Sequence, residues 1–178
     1  MTIIGIHAER VPGDDRAVRW VVPPGLLPAG RVRQAPGRFG EMLRDGTLSD
    51  ALTEPGAVWL WVPEGRSWAG VGVGVQSALR EALSDPDRWR VDPAPGEVLM
   101  RVTNDLLAGS VGDFVRSHGG TVTAEQHGDD VSVRLGGACE HCAAAEFTLR
   151  MRLLGALRQR CPNLVESVGK GGLTIRLG

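Results

Sequence analysis

Tyrosine is absent from this 178-residue chain, and lysine occurs once against 19 arginines. Aromatic residues make up only 4% and cysteine occurs three times, an odd number that does not suit a disulfide framework. Neither charge sign is in excess: 20 basic residues face 21 acidic ones, for a net charge of −1. Up to Asp92 the counts are 11 and 12, and from Pro93 onward 9 and 9. That balance lacks the basic footprint of a nucleic-acid binder, so no nucleic-acid partner is expected. No apolar run approaches the roughly 20 residues of a membrane span, and Met1-Thr2-Ile3-Ile4-Gly5-Ile6 is too short for a signal peptide. The expectation is a cytoplasmic protein with reduced thiols and no membrane partner.

What is present is ordinary globular composition, 42% hydrophobic and 23% charged, which excludes a disordered chain or a coiled coil. No repeat or low-complexity tract occurs. Two prolines and a glycine within Val91-Asp92-Pro93-Ala94-Pro95-Gly96-Glu97 predict a boundary, giving domains at 1–92 and 97–178 joined by a linker at 93–96. In the first, Ala17–Val22 and Val58–Val62 read as strands, with Val58, Leu60 and Val62 on one face and Trp59 and Trp61 on the other. Ser67–Val75 is predicted to return as the hairpin partner of the second strand, with a helix following from Gln76 to Leu83. Phe39, Met42, Leu43, Leu48 and Leu52 have helical spacing interrupted near Gly46.

In the second domain, Val98–Ser117 has a helical period, Thr121–Glu125 and Val131–Leu135 alternate as strands, and Leu173–Leu177 is a last strand. Between them Phe147, Met151 and Leu154, with Leu149, Leu153 and Leu157, predict the apolar stripe of an amphipathic helix ending before Pro162. The fold class expected is α+β with two small mixed domains. The C-terminal one has the order α-β-β-α-β and a C-x-x-C loop before its second helix.

That loop, Leu135-Gly136-Gly137-Ala138-Cys139-Glu140-His141-Cys142, carries the chemistry. Two intervening residues let both sulfurs turn to one side and grip a single metal-sized object. The glycines permit tight turns beside them, and the helix start offers free amides that favour anionic sulfur. Four readings are open. A zinc site could recruit Cys161 and a histidine, or the pair could be a structural zinc half-site, although a closed zinc shell needs four ligands. A thioredoxin-like redox pair, with Cys139 as nucleophile, also uses C-x-x-C at a helix start. The cysteines could be incidental. Finally, a homodimer could pool four thiolates around one iron–sulfur cluster.

His118-Gly119-Gly120, the strand pair, Val133 to Cys142 and Phe147-Thr148-Leu149 together resemble the NifU C-terminal (Nfu-type) iron–sulfur scaffold domain, from about Glu97 onward. The first 92 residues resemble more loosely the N-terminal domain that accompanies it in many Nfu proteins, through element order and Val11-Pro12-Gly13 before a strand. The resemblance implies a carrier, not an enzyme, that holds a [4Fe–4S] cluster between two subunits and delivers it to apo iron–sulfur acceptor proteins. By position, Cys139 and Cys142 are the implied ligands. Ala143-Ala144-Ala145 stands where the family usually has a proline and small hydroxyl residues, and His141 where small residues are common. The other-class reading is a thiol–disulfide oxidoreductase using the same pair.

The remaining candidates have structural readings. His118 suits a helix C-terminus, His127 a solvated turn and His141 an exposed loop, while His7 has no visible partner. Cys161 before Pro162 reads as a small buried apolar residue. Trp59 and Trp61 read as core or interface aromatics, and Arg150, Arg152, Arg158 and Arg160 as a solvated helix face. Gly70-Val71-Gly72-Val73-Gly74 lacks the dinucleotide spacing, and Gly169-Lys170-Gly171-Gly172 lacks the Walker pattern and reads as a turn.

Overall fold

The computed structural model describes residues 4–140, 142–169 and 172–178. The chain divides into two compact units, Met1–Pro93 and Ala94–Gly178. Each mixes helix with antiparallel sheet, so the protein is α+β.

The first unit runs β1 (His7–Arg10), β2 (Ala17–Val21), β3 (Gly30–Gln34), α1 (Gly37–Arg44), β4 (Asp50–Glu54), β5 (Ala57–Trp61), α2 (Gly72–Leu83) and β6 (Arg90–Pro93). The strands form one sheet in the order β1-β2-β5-β4-β3-β6. Phe39 and Met42 from α1 and Val75, Leu79 and Leu83 from α2 share a core with Trp20, Val58, Leu60 and Val62 of the sheet side. The period-2 alternation of β5 therefore does what its sequence implies, one face to the helices and the other to Trp59 and Trp61. Those two indoles stack with centroids 6.3 Å apart, and Trp59 Nε1 donates to the buried Glu54 carboxylate at 2.8 Å. Arg19 bridges Glu54 and Glu9, which offsets the burial of the Glu54 charge.

Three expectations fail in this unit. Ser67–Val75 is not a strand: Trp68–Gly70 is a 3₁₀ turn, α2 begins at Gly72, and β5 pairs instead with β2 and β4. Alternating glycines would leave one face of such a strand bare, whereas Val75, Ala78, Leu79, Ala82 and Leu83 provide a buried helical stripe. The helical spacing is interrupted at Gly46 as expected, where the chain turns at φ +78°, but Leu48 and Leu52 do not resume a helix, and Leu52 enters β4. His7 also has a neighbour, Glu9, at 3.4 Å.

The second unit runs α3 (Pro95–Ala108), α4 (Ser110–Ser117), β7 (Gly120–His127), β8 (Asp130–Gly137), α5 (Ala143–Arg160), β9 (Leu164–Gly169) and β10 (Gly172–Leu177). Its antiparallel sheet has the order β7-β8-β10-β9, and α3 packs on β7, β8 and β10 while α4 and α5 pack on α3. Val98, Leu99, Val102, Val115, Val131, Val133 and Ile175 are buried with Leu149, Leu153, Leu154 and Leu157 of α5. Pro95 opens α3 at its first turn, where a missing N–H is harmless, and β6 ends at Pro93, so of the linker expected at 93–96 only Ala94 lies outside a strand or helix.

The order is thus α-α-β-β-α-β-β and not α-β-β-α-β. Gly109 breaks the first helix in two, and a strand at Leu164–Gly169 precedes the last one. Lys170 and Gly171, within the turn expected at 169–172, and His141 lie outside the described residues.

The apolar stripe of α5 also needs correction. Leu149, Leu153, Leu154 and Leu157 are buried, but Phe147 and Met151 are 63% and 56% exposed. Each fully buried leucine contributes roughly 1.5–3 kcal/mol, so four of them hold the middle and C-terminal half of the helix firmly. The partly buried Arg160–Asp105 ion pair, at 2.5 Å, adds a tie to α3. From 142 to 148, by contrast, no side chain is buried. The helix is anchored from Leu149 onward and presents its first turns to the surroundings.

Candidate functional site

The thiol loop is built from the open end of the β7–β8 hairpin. Gly120 pairs with Gly137 and Thr121 with Gly136, bringing the α4–β7 corner beside the loop that leaves β8. Gly119 and Gly137 both have positive φ, +72° and +63°, which only glycine adopts without strain. Across this corner Ala138 N–H donates to the Gly119 carbonyl at 3.3 Å. Two turns follow: Glu140 N–H donates to Gly137 O at 3.2 Å, and Cys142 N–H to Cys139 O at 3.3 Å. Cys142 then occupies the N-cap of α5, and its carbonyl accepts from Glu146 N–H at 3.0 Å.

The same turn gives the two thiols unequal positions. Cys139 is only 4% exposed, whereas Cys142 is exposed, and both are free thiols. The buried sulfur sits where Gly120 has no side chain: a Cβ there would stand 2.5 Å from Cys139 Sγ, 2.9 Å from its Cβ and 3.0 Å from Val115 Cγ1. Gly120 is thus the seat of one thiol. Sequence reasoning gave it no such role, because the contact depends on the strand register and not on local spacing.

His118 is the C-cap of α4 and lies beside this corner. Its Nδ1 is 2.8 Å from the Phe114 carbonyl, an acceptor, so the geometry places the proton on Nδ1. The ring also packs on Phe114 at 4.8 Å, with Arg152 over the same phenyl ring at 4.5 Å. Arg150 and Arg158 approach Glu166 at 3.8 and 3.0 Å. These arginines are engaged on the body of the unit rather than merely solvated.

Cys161 is buried at the C-cap of α5. An 18-residue helix separates it from Cys142, about 27 Å at 1.5 Å per residue, so the two cannot share a metal. The three-cysteine zinc expectation fails on that length. Among the described residues, no group of three or more His, Cys, Asp or Glu side chains is placed to hold a metal ion. The arrangement offers two sulfurs on one short turn, one held against the fold and one presented at a helix N-terminus. Soft thiolates in that setting suit iron, an iron–sulfur cluster or zinc.

Residues 104–168, from the middle of α3 into β9, match the NifU-like domain family. A stretch of 63 residues is 36% identical to the Fe/S biogenesis protein NfuA of Teredinibacter turnerae (strain ATCC 39867 / T7901), covering 34% of this chain and 32% of that protein. The chain thus matches about a third of the length of that curated relative. No solved structure matches the chain.

Proposed function

We propose that the protein is an iron–sulfur cluster scaffold and carrier, a reading supported by the match of residues 104–168 to the NifU-like domain family. Cys139 and Cys142 of two copies hold one [4Fe–4S] cluster, and the loaded homodimer delivers it to apo iron–sulfur proteins. The observation that carries this reading is the pair of free thiols on a single turn within the matched segment. A [4Fe–4S] cluster takes four cysteine thiolates. One chain places two at the site, so two chains complete the shell.

The cluster is cargo, and the chain's asymmetry suits its release. Cys142 is exposed at the end of an unanchored helix turn, where an acceptor thiolate can replace it. Cys139, seated on Gly120, is the ligand that leaves last. Each exchange forms one iron–thiolate bond as another breaks, with no net electron transfer. On this reading the protein is a non-enzymatic carrier acting in a reducing compartment such as the cytoplasm. Residues 1–92 form the accompanying Nfu-like domain, 93–96 the junction and 97–178 the scaffold domain.

The oxidoreductase reading has less support. An attacking cysteine must be accessible as thiolate, and Cys139, the first cysteine of the motif, is buried. The matched relative is moreover named for Fe/S biogenesis. No helix among the described residues is long and apolar enough to cross a membrane.

The test is transfer. Protein loaded anaerobically is mixed with an apo enzyme that needs a [4Fe–4S] cluster, with an iron chelator in the buffer. Enzyme activity should return in proportion to the loaded dimer added. Activity that returns no faster than with free iron and sulfide under the same chelator would contradict a carrier.

A further inference from the structure

Resting on the scaffold reading, we propose that the exposed Phe147–Met151 face of α5 is the surface on which the second copy of the chain seats around the cluster. Five large hydrophobic side chains are notably exposed among the described residues: Val73 in the first unit, and Phe147, Met151, Val165 and Val168 in the second. Phe147 and Met151 are four apart on one helix and therefore stack on one face. That face starts at the ligand-bearing end, since Cys142 caps the same helix.

The row continues through buried Leu154 to Arg158, whose guanidinium holds Glu166 of β9 at 3.0 Å. Two residues further along β9, Val168 points to the same side of that strand as Glu166 and is half exposed. The exposed apolar part of this face is Phe147 and Met151, next to the Cys142 turn; the Arg158–Glu166 pair separates it from Val168 on an edge strand of the sheet.

Three features select a second copy as occupant. The thiol site is half of a four-thiolate shell, so another copy must approach Cys142 from outside. A two-fold axis through the cluster sets each copy's patch against the same surface of its partner, as in an isologous contact. The first turn of the helix opens with Ala143, Ala144 and Ala145 before the exposed Glu146, and the three short side chains let two chains come close around the cluster. The nearby cations do not obstruct the approach, because Arg150 and Arg158 turn to Glu166 and Arg152 to Phe114.

The patch is small. Stable interfaces bury about 1,200 Å² or more in total, beyond what three or four side chains provide. The contact therefore completes a junction that the four iron–thiolate bonds also hold, and losing the cluster frees the copies.

The test compares full-length wild type with Phe147→Ser/Met151→Ser and with Val73→Ser as a control, all reconstituted anaerobically with iron and sulfide. Native mass, iron content and circular dichroism are read together. Wild type and Val73→Ser should give loaded dimers. The double variant should keep its circular dichroism spectrum but lose its loaded dimer about tenfold faster, as when buried anchors are removed from an interface. If the double variant changes its spectrum, Met151→Ser alone carries the test, with the same expected direction.

An equally long-lived loaded dimer in the variant overturns the inference and leaves the scaffold reading intact. So does a normal dimer that transfers its cluster slowly, which would assign the face to the acceptor. Wild type that takes up no cluster sinks both.

Discussion

Cys139→Ala and Cys142→Ala are each expected to reduce retained iron and sulfide by more than about tenfold after anaerobic reconstitution and desalting, because every iron of a [4Fe–4S] cluster needs its own outside thiolate. In a homodimer each substitution removes two of four ligands. Cys161→Ala is expected to load as wild type does, since the helix between Cys142 and Cys161 is 18 residues long. Its cost is confined to stability, because Cys161 is buried. The two active-loop variants differ in a second way. Cys142 is exposed, so its truncation should leave thermal stability near wild type, whereas truncating buried Cys139 leaves a void against Gly120 and Val115. If Cys161→Ala lost the cluster while keeping its fold, a three-cysteine shell would replace the present one.

The second large effect is expected at a residue that bears no ligand. In Gly120→Ala the new methyl would overlap Cys139 Sγ at 2.5 Å and Cys139 Cβ at 2.9 Å, while crowding Val115 at 3.0 Å. None of these atoms is the free end of a long side chain, so backbone or the thiol turn must shift. Overpacking of this kind destabilises by about 1–3 kcal/mol. In a unit of this size that lowers the melting temperature by several degrees, at roughly 4–8 °C per kcal/mol. The shift also unseats Cys139. Iodoacetamide should then label Cys139 in the apo protein faster than in wild type, and the reconstituted cluster should be shorter-lived. Gly120→Ala with wild-type melting, labelling and cluster lifetime would show that the seat does not control the site.

These two effects differ in how far they could be read from the sequence. The cysteine pair is legible because its signal is local: two residues lie between the thiols, after two glycines and before a helical stripe. Gly120 gains its role only when Gly120 pairs with Gly137 and the loop folds back over the α4–β7 corner. That register is set by packing across the whole hairpin. Phe147 and Met151 mislead for a related reason. Their spacing fits the helical period as well as that of the buried leucines, and period alone does not say which of two adjacent apolar rows meets the core.

Elsewhere, β7 and β8 are readable from alternation, which β8 uses to bury Val131 and Val133, and β5 from its run of large apolar residues, which the fold buries on both faces. The strand at Leu164–Gly169 was not, because Glu166 interrupts its valines and both valines remain half exposed at an edge. Gly109 divides a continuous helical period because the chain turns there to pack α4 on α3. The Val-Gly alternation at 70–74 imitates a strand, but the decisive signal lies beyond it, in the Val75 to Leu83 stripe.

The most direct test of the account is native mass spectrometry of the anaerobically reconstituted full chain, with iron and acid-labile sulfide measured on the same sample. The expected result is a species of two chains carrying four irons and four sulfides, as four-thiolate ligation requires, and a monomer once the cluster is removed. A chain that takes up no iron and instead cycles reversibly through a Cys139–Cys142 disulfide would contradict it.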